Sequence, residues 1–182
     1  MNYQLVDYLK ANYSNIDPNY NIREDLSLMD SDLENNNVFL IGENHGVKAN
    51  VILRMKFLRY CKEKTNFKYY IYELPHSVAY FLNKYLDSGD ENILKEAYRF
   101  CNGTYAWNRD EYNQWKDLYK YNNTLSKEDK LIILGIDIEH QPKNAFIYIN
   151  DCLIRNNLGG QLSEYINRYI DKGNITDEEL EQ

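Results

Sequence analysis

VFLIGENHG, from Val38 to Gly46, is the stretch whose reading decides the fold. Its first four residues form a short apolar run of strand formers with asparagines before it and a glycine after it, the pattern of a strand buried in a parallel sheet. Glu43, Asn44 and His45 are polar and flanked by Gly42 and Gly46, the composition of a tight turn that lets backbone approach a ligand closely. Two further runs match the first: FKYYIYEL at 67–74 and LIILGID at 131–137, the second introduced by the polar stretch at 126–130. Each run is followed by helical periodicity and not by a hairpin turn, which predicts βα units. The expected fold class is α/β: a mostly parallel sheet with helices on both faces and an active-site edge at the C-terminal ends of the strands.

After the first run, Val47, Val51, Met55 and Leu58 recur at i, i+4, i+8 and i+11, one stripe of a helix that ends near Thr65, with Arg54 on its flank. Further helices are expected around 78–86 and 91–100, split by the turn Ser88-Gly89-Asp90, and over 109–121. Residues 144–155 and 162–170 also read as helices, separated by the Gly- and Asn-rich stretch at 156–160. The layout is a helical lead-in at 1–36, a parallel α/β core at 37–157 and a helical C-terminal segment at 158–182. Thr176 to Leu180 has the form of a capping box, an N-cap Thr with Glu179 three residues on. A helix announced there implies that the chain is the front part of a longer protein, the plainer alternative being a frayed acidic tail.

At 182 residues, 43% apolar and 27% charged, the chain has the size of one globular domain, with or without a short appendage. The 18 tyrosines carry most of its aromatic content, each with a hydroxyl that needs water or a partner when buried. A net charge of −7 without a Lys/Arg cluster opposes a phosphate backbone, so nucleic acid is not an expected partner. The first ten residues, MNYQLVDYLK, lack the basic start and apolar stretch of a secretory signal, and no later apolar run approaches ~20 residues. A cytoplasmic protein without membrane contact is expected. Cys61, Cys101 and Cys152 are far apart, odd in number and without CxxC pairing, so neither a disulfide framework nor a zinc knuckle is indicated. Gly-rich phosphate loops, nucleophile elbows and HExxH motifs are absent as well.

The polar chemistry gathers where strands end. His45, His76 and His140 each fall just past the carboxyl end of an expected strand, and Glu43, Glu73, Asp137 and Glu139 sit in the same places. Open α/β sheets bind ligands at that edge. Such a set can activate water through a His base or hold a divalent metal. Arg54, on a helix that starts beside His45, would keep neighbouring carboxylates ionised. Of the two tryptophans, Trp115 reads as packing, while Trp107 lies in a connecting segment and is the candidate to line a pocket.

Taken together these residues resemble the erythromycin esterase-like family. The resemblance runs from Asp25 to Asp30 through VFLIGENHG, the Arg-bearing helix, YYIYEL, the segment from Trp107 to Asn122, and LGID ending at Asp137. It implies that His45 is the general base that activates water against an ester, assisted by Glu43, Glu73 and Arg54. Arg54 and Glu73 lie nine and twenty-eight positions after His45, spacings that look like the family's. His76, Trp107, Asp137 and His140 are the candidate substrate contacts. The family motif resembles GExxHG, whereas this chain has GENHG, with one residue fewer between Glu43 and His45. That shorter form looks more like the related ChaN-like haem-binding proteins. Family members are also usually about twice as long. The expected activity is hydrolysis of a carboxylic ester, macrolactone-type or another small molecule, with no cofactor. The alternatives are a haem carrier using a His or Tyr axial ligand, and a metal-dependent hydrolase built on Glu43, His45, Glu73, Asp137 and His140.

Overall fold

The computed structural model describes residues 3–22 and 24–172. The capping box at Thr176 lies outside the described residues. In chain order the elements are α1 (Tyr3–Ala11), a 3-10 helix (Glu24–Met29), α2 (Asp30–Asn35), α3 (Lys48–Lys64), β1 (Tyr69–Pro75), α4 (His76–Ser88), α5 (Glu91–Tyr98), a 3-10 turn (Arg99–Cys101), α6 (Arg109–Asn122), β2 (Ile132–Asp137), α7 (Pro142–Arg155) and α8 (Gln161–Lys172). The architecture is α/β-like and mostly helical. The chain divides into two compact units, Met1–Lys68 with Gly103–Leu131, and Tyr69–Asn102 with Ile132–Gln182. Among the described residues no helix is long and apolar enough to cross a membrane.

In the first unit α3 is the longest helix, with no Gly or Pro in its 17 residues and Lys62 and Lys64 in its last turn, where cations suit the helix dipole. Met55 and Leu58 of the expected stripe are buried, whereas Val47 precedes the helix and is exposed. Leu26, Leu33, Tyr60 and Cys61 form a core against which Met29, Phe39, Phe57 and Phe67 pack. Lys56 is 0% exposed, and its ammonium donates to the Asp25 carboxylate at 2.6 Å and the Asp17 carbonyl at 2.7 Å. That ion pair ties the segment before α2 to the middle of α3. Asn108 caps α6, its side chain accepting from the Glu111 N–H at 3.0 Å.

The strand expected at 38–41 is not formed. Phe39 packs on the core just described, but Val38, Leu40 and Ile41 face outward and no ladder is made there. Strand composition is a local property, whereas a strand exists only when a partner accepts its hydrogen bonds. The sheet of the described residues therefore has two strands, not the larger set expected.

In the second unit β1 and β2 pair in parallel, with Tyr69 opposite Ile132 and Tyr72 opposite Gly135. The register shifts between Tyr72 and Pro75, which brings Pro75 opposite Asp137, so β1 carries one extra residue at Glu73 or Leu74. Gly135 sits at the tightest point: a Cβ there would lie 2.5 Å from the carbonyl oxygens of Leu74 and Pro75. Asn83 of α4 accepts from the Ile133 N–H at 2.9 Å and donates to the Ile133 carbonyl at 2.8 Å, taking the part of a neighbouring strand for β2. Leu74, Val78, Leu82, Leu86, Leu94 and Ile133 are among the second unit's buried apolar residues.

Candidate functional site

Gly46, at φ 76°, adopts the left-handed conformation that closes the turn after His45. The Asn44 carbonyl accepts from the Val47 N–H at 3.3 Å and from the Asn50 amide at 2.5 Å, so the turn is folded back onto the first turn of α3. Glu43 and His45 lie two residues apart in the stretch entering that turn, and their side chains meet, Nδ1 of His45 lying 3.1 Å from Glu43 Oε1. The other carboxylate oxygen of Glu43 accepts from Arg54 Nη2 at 3.1 Å.

Arg54 is the hub. Its guanidinium, buried at 8% exposure, also donates to both oxygens of Glu111, at 2.9 and 3.0 Å, and to Gln114 Oε1 at 2.9 Å. The planar fork matches the Glu111 carboxylate in the two-bond geometry that only arginine provides. Gln114 is itself held, donating to the Val51 carbonyl at 3.2 Å. Two carboxylates therefore face one guanidinium. Protonation of His45 would bring the set to neutrality. Tyr105 completes it: its ring stacks on His45 with centroids 4.2 Å apart, and its hydroxyl donates to Glu43 Oε1 at 3.4 Å.

The His45 ring is half exposed, and its Nε2 has no hydrogen bond among the described residues. With Nδ1 as the donor to Glu43, Nε2 carries the lone pair. A carboxylate on one nitrogen of a half-exposed imidazole, with the other nitrogen not hydrogen-bonded among the described residues, is the arrangement of a positioned base. The same arrangement orients an imidazole toward a metal or haem iron.

Glu43, His45 and Arg54 are thus brought together in the first unit. Trp107, in the same unit, is exposed in the connection leading to α6, and Trp115 is buried in α6 as expected of a packing residue. Glu73, His76, Asp137 and His140 belong to the second unit, at the carboxyl ends of its two strands. Glu73 is exposed within the irregular part of β1. His76 opens α4 with its ring edge-on to Tyr148 at 5.0 Å. Asp137 and His140 form a second carboxylate–imidazole pair, Oδ2 to Nε2 3.4 Å. Among the described residues no three His, Cys, Asp or Glu side chains gather as metal ligands.

Sequence reasoning missed Glu111, Gln114 and Tyr105. A signal existed for the first two: Asn108 with Glu111 three residues on is a helix start, and Glu111 and Gln114 at i and i+3 share one face of α6. No family model, no curated protein and no solved structure matches the chain.

Proposed function

We propose that this chain carries the water-activating centre of an erythromycin esterase-like hydrolase, acting in the cytoplasm on a carboxylic ester of a small molecule. The observation that carries the reading is the continuous run of contacts from His45 through Glu43 to Arg54 and Glu111. Water on Nε2 gives its proton to His45 as its oxygen bonds to the ester carbonyl carbon. The imidazolium so formed lies against Glu43. Collapse of the tetrahedral intermediate breaks the carbon–oxygen bond, and the departing alkoxide takes the proton back from His45. No covalent nucleophile is required. Arg54 and Glu111 act as positioning residues that hold Glu43 in place.

Glu73 as an assisting carboxylate belongs to the same proposal and rests on the family resemblance; His76, Asp137 and His140 as substrate contacts rest on their places at strand ends, and Trp107 on its place in a connecting segment. In a second reading His45 would hold haem, since Glu43 on Nδ1 would orient a ligating ring equally well.

The test is hydrolysis of a macrolide and of a simple aryl ester by the wild-type chain and by His45→Ala, each with and without chelator. A fall of ~10²–10⁴-fold in the variant, with no effect of chelator, is expected for a metal-free His base. Equal rates in both proteins would remove His45 from that role. A shifted Soret band on titration with haem, together with no ester turnover, would favour the carrier.

A further inference from the structure

Residues 38–42 form no strand, yet Leu40 is 94% exposed, Val38 73% and Ile41 56%. These side chains border a cleft of about 440 Å³ in the first unit, whose lining also includes Phe57 and Cys61 of α3 and Met29. That volume falls within the range of small-molecule sites, roughly 300–1,000 Å³. Contiguous apolar exposure of this kind marks a binding surface.

Cleft and base are consecutive on the same two pieces of chain. Gly42 lines the cleft and Glu43 is the next residue. On α3, Arg54, Phe57 and Cys61 are spaced i, i+3 and i+7, which places them on one stripe. At ~1.5 Å rise per residue, Phe57 lies about 4.5 Å and Cys61 about 10 Å along the axis from Arg54. An apolar group seated between the 38–42 segment and this stripe therefore lies against the residue that precedes Glu43 in the chain and against the helix face that carries Arg54.

We infer that the cleft holds the aliphatic arm of a neutral ester whose carbonyl is presented to His45, an assignment that rests on the hydrolase reading above. Charge selects the neutral ligand. Asp32 is in the lining, Glu43 stands next to Gly42, and the chain carries −7, so a free fatty carboxylate is repelled where its ester is not. Hydrolysis turns the neutral ligand into that carboxylate, and the same charges then favour its release.

Nile red, a neutral dye whose emission rises in apolar surroundings, serves as the probe, with decyl methyl ketone, an uncleavable stand-in for the ester, as competitor. Leu40→Glu places a charge at an exposed lining position. Gly42→Leu fills the cleft from a position where a new Cβ meets nothing within 4 Å. Ile154→Glu, at an exposed site on α7, is the control. Saturable dye binding displaced by the ketone is expected in wild type, His45→Ala and Ile154→Glu. In Leu40→Glu and Gly42→Leu the ketone should bind at least ~10-fold more weakly, the scale of one or two lost methylene burials. Wild type should also prefer an octanoyl over an acetyl aryl ester, and that preference should collapse in both variants. Undiminished ketone binding in both variants, or turnover without chain-length preference, would overturn the cleft assignment. Ketone binding without any ester turnover would instead overturn the hydrolase reading and leave an apolar-ligand site.

Discussion

Arg54 joins Glu43 to Glu111, so its replacement tests charge and geometry together. Arg54→Met leaves two carboxylates facing each other without their cation, and breaking a buried ion pair in this way costs about 3–5 kcal/mol. Denaturant unfolding should show that loss, and Arg54→Met combined with Glu111→Met should recover part of it, because the more deeply buried charge of Glu111 is gone and only the partly exposed Glu43 is left without its cation. A loss below about 1 kcal/mol in the single variant would place the cluster in a solvated setting. Arg54→Lys should fall between, since an ammonium keeps the charge and forfeits the fork. At this scale half of the cluster was legible in the sequence. Glu43, His45 and Arg54 lie within one turn and one helix, where spacing alone brings them near each other. Tyr105, Glu111 and Gln114 arrive from more than fifty residues away, and nothing local to them says which residue they will meet.

Two elements carry the second unit's sheet, and each has a residue whose loss should be felt there. Gly135→Ala pushes a methyl group to 2.5 Å from the carbonyl oxygens of Leu74 and Pro75. The strands must separate, and the expected destabilisation is about 1–3 kcal/mol, the scale of overpacking. Asn83→Leu removes both bonds to the Ile133 backbone and leaves a buried donor and acceptor unmet, a loss of about 1–3 kcal/mol. Thermal melts of the two variants check both figures. If either melts as the wild type does, the sheet is looser than its register implies. The helices were readable because caps and stripes are local: Asp90 caps α5 through the Asn92 N–H, Asn108 caps α6, and Gly89 closes α4 in the left-handed conformation. Two of three strands were readable for the same reason. The third, at 38–41, has the composition of a buried strand and lacks the pairing, which no periodicity within four residues can reveal.

Across the whole chain, acid should act through a few held carboxylates. A hydrogen bond from Lys56 lowers Asp25, and hydrogen bonds from Tyr60 and Lys64 lower Asp30. Burial pushes Asp151 up, but hydrogen bonds from Lys84 and Tyr80 outweigh it and the net shift is downward. A carboxylate lowered in the folded state binds fewer protons there than when unfolded. Its stabilisation is therefore complete above the ordinary carboxylate range, about pH 4, and is lost as pH falls through the lowered folded values. The melting temperature should drop below about pH 4, and Asp25→Asn should soften the drop by removing one contributor. A melting temperature that holds steady down to pH 2 would contradict this. The site itself is tested most directly by rescue. In His45→Ala the oriented Glu43 remains and the base is gone, so imidazole should raise aryl-ester turnover by that variant above the rate of imidazole in buffer alone, and should add nothing beyond that buffer rate to the wild type. Turnover in His45→Ala that equals the wild type without imidazole would contradict the central claim that His45 is the base.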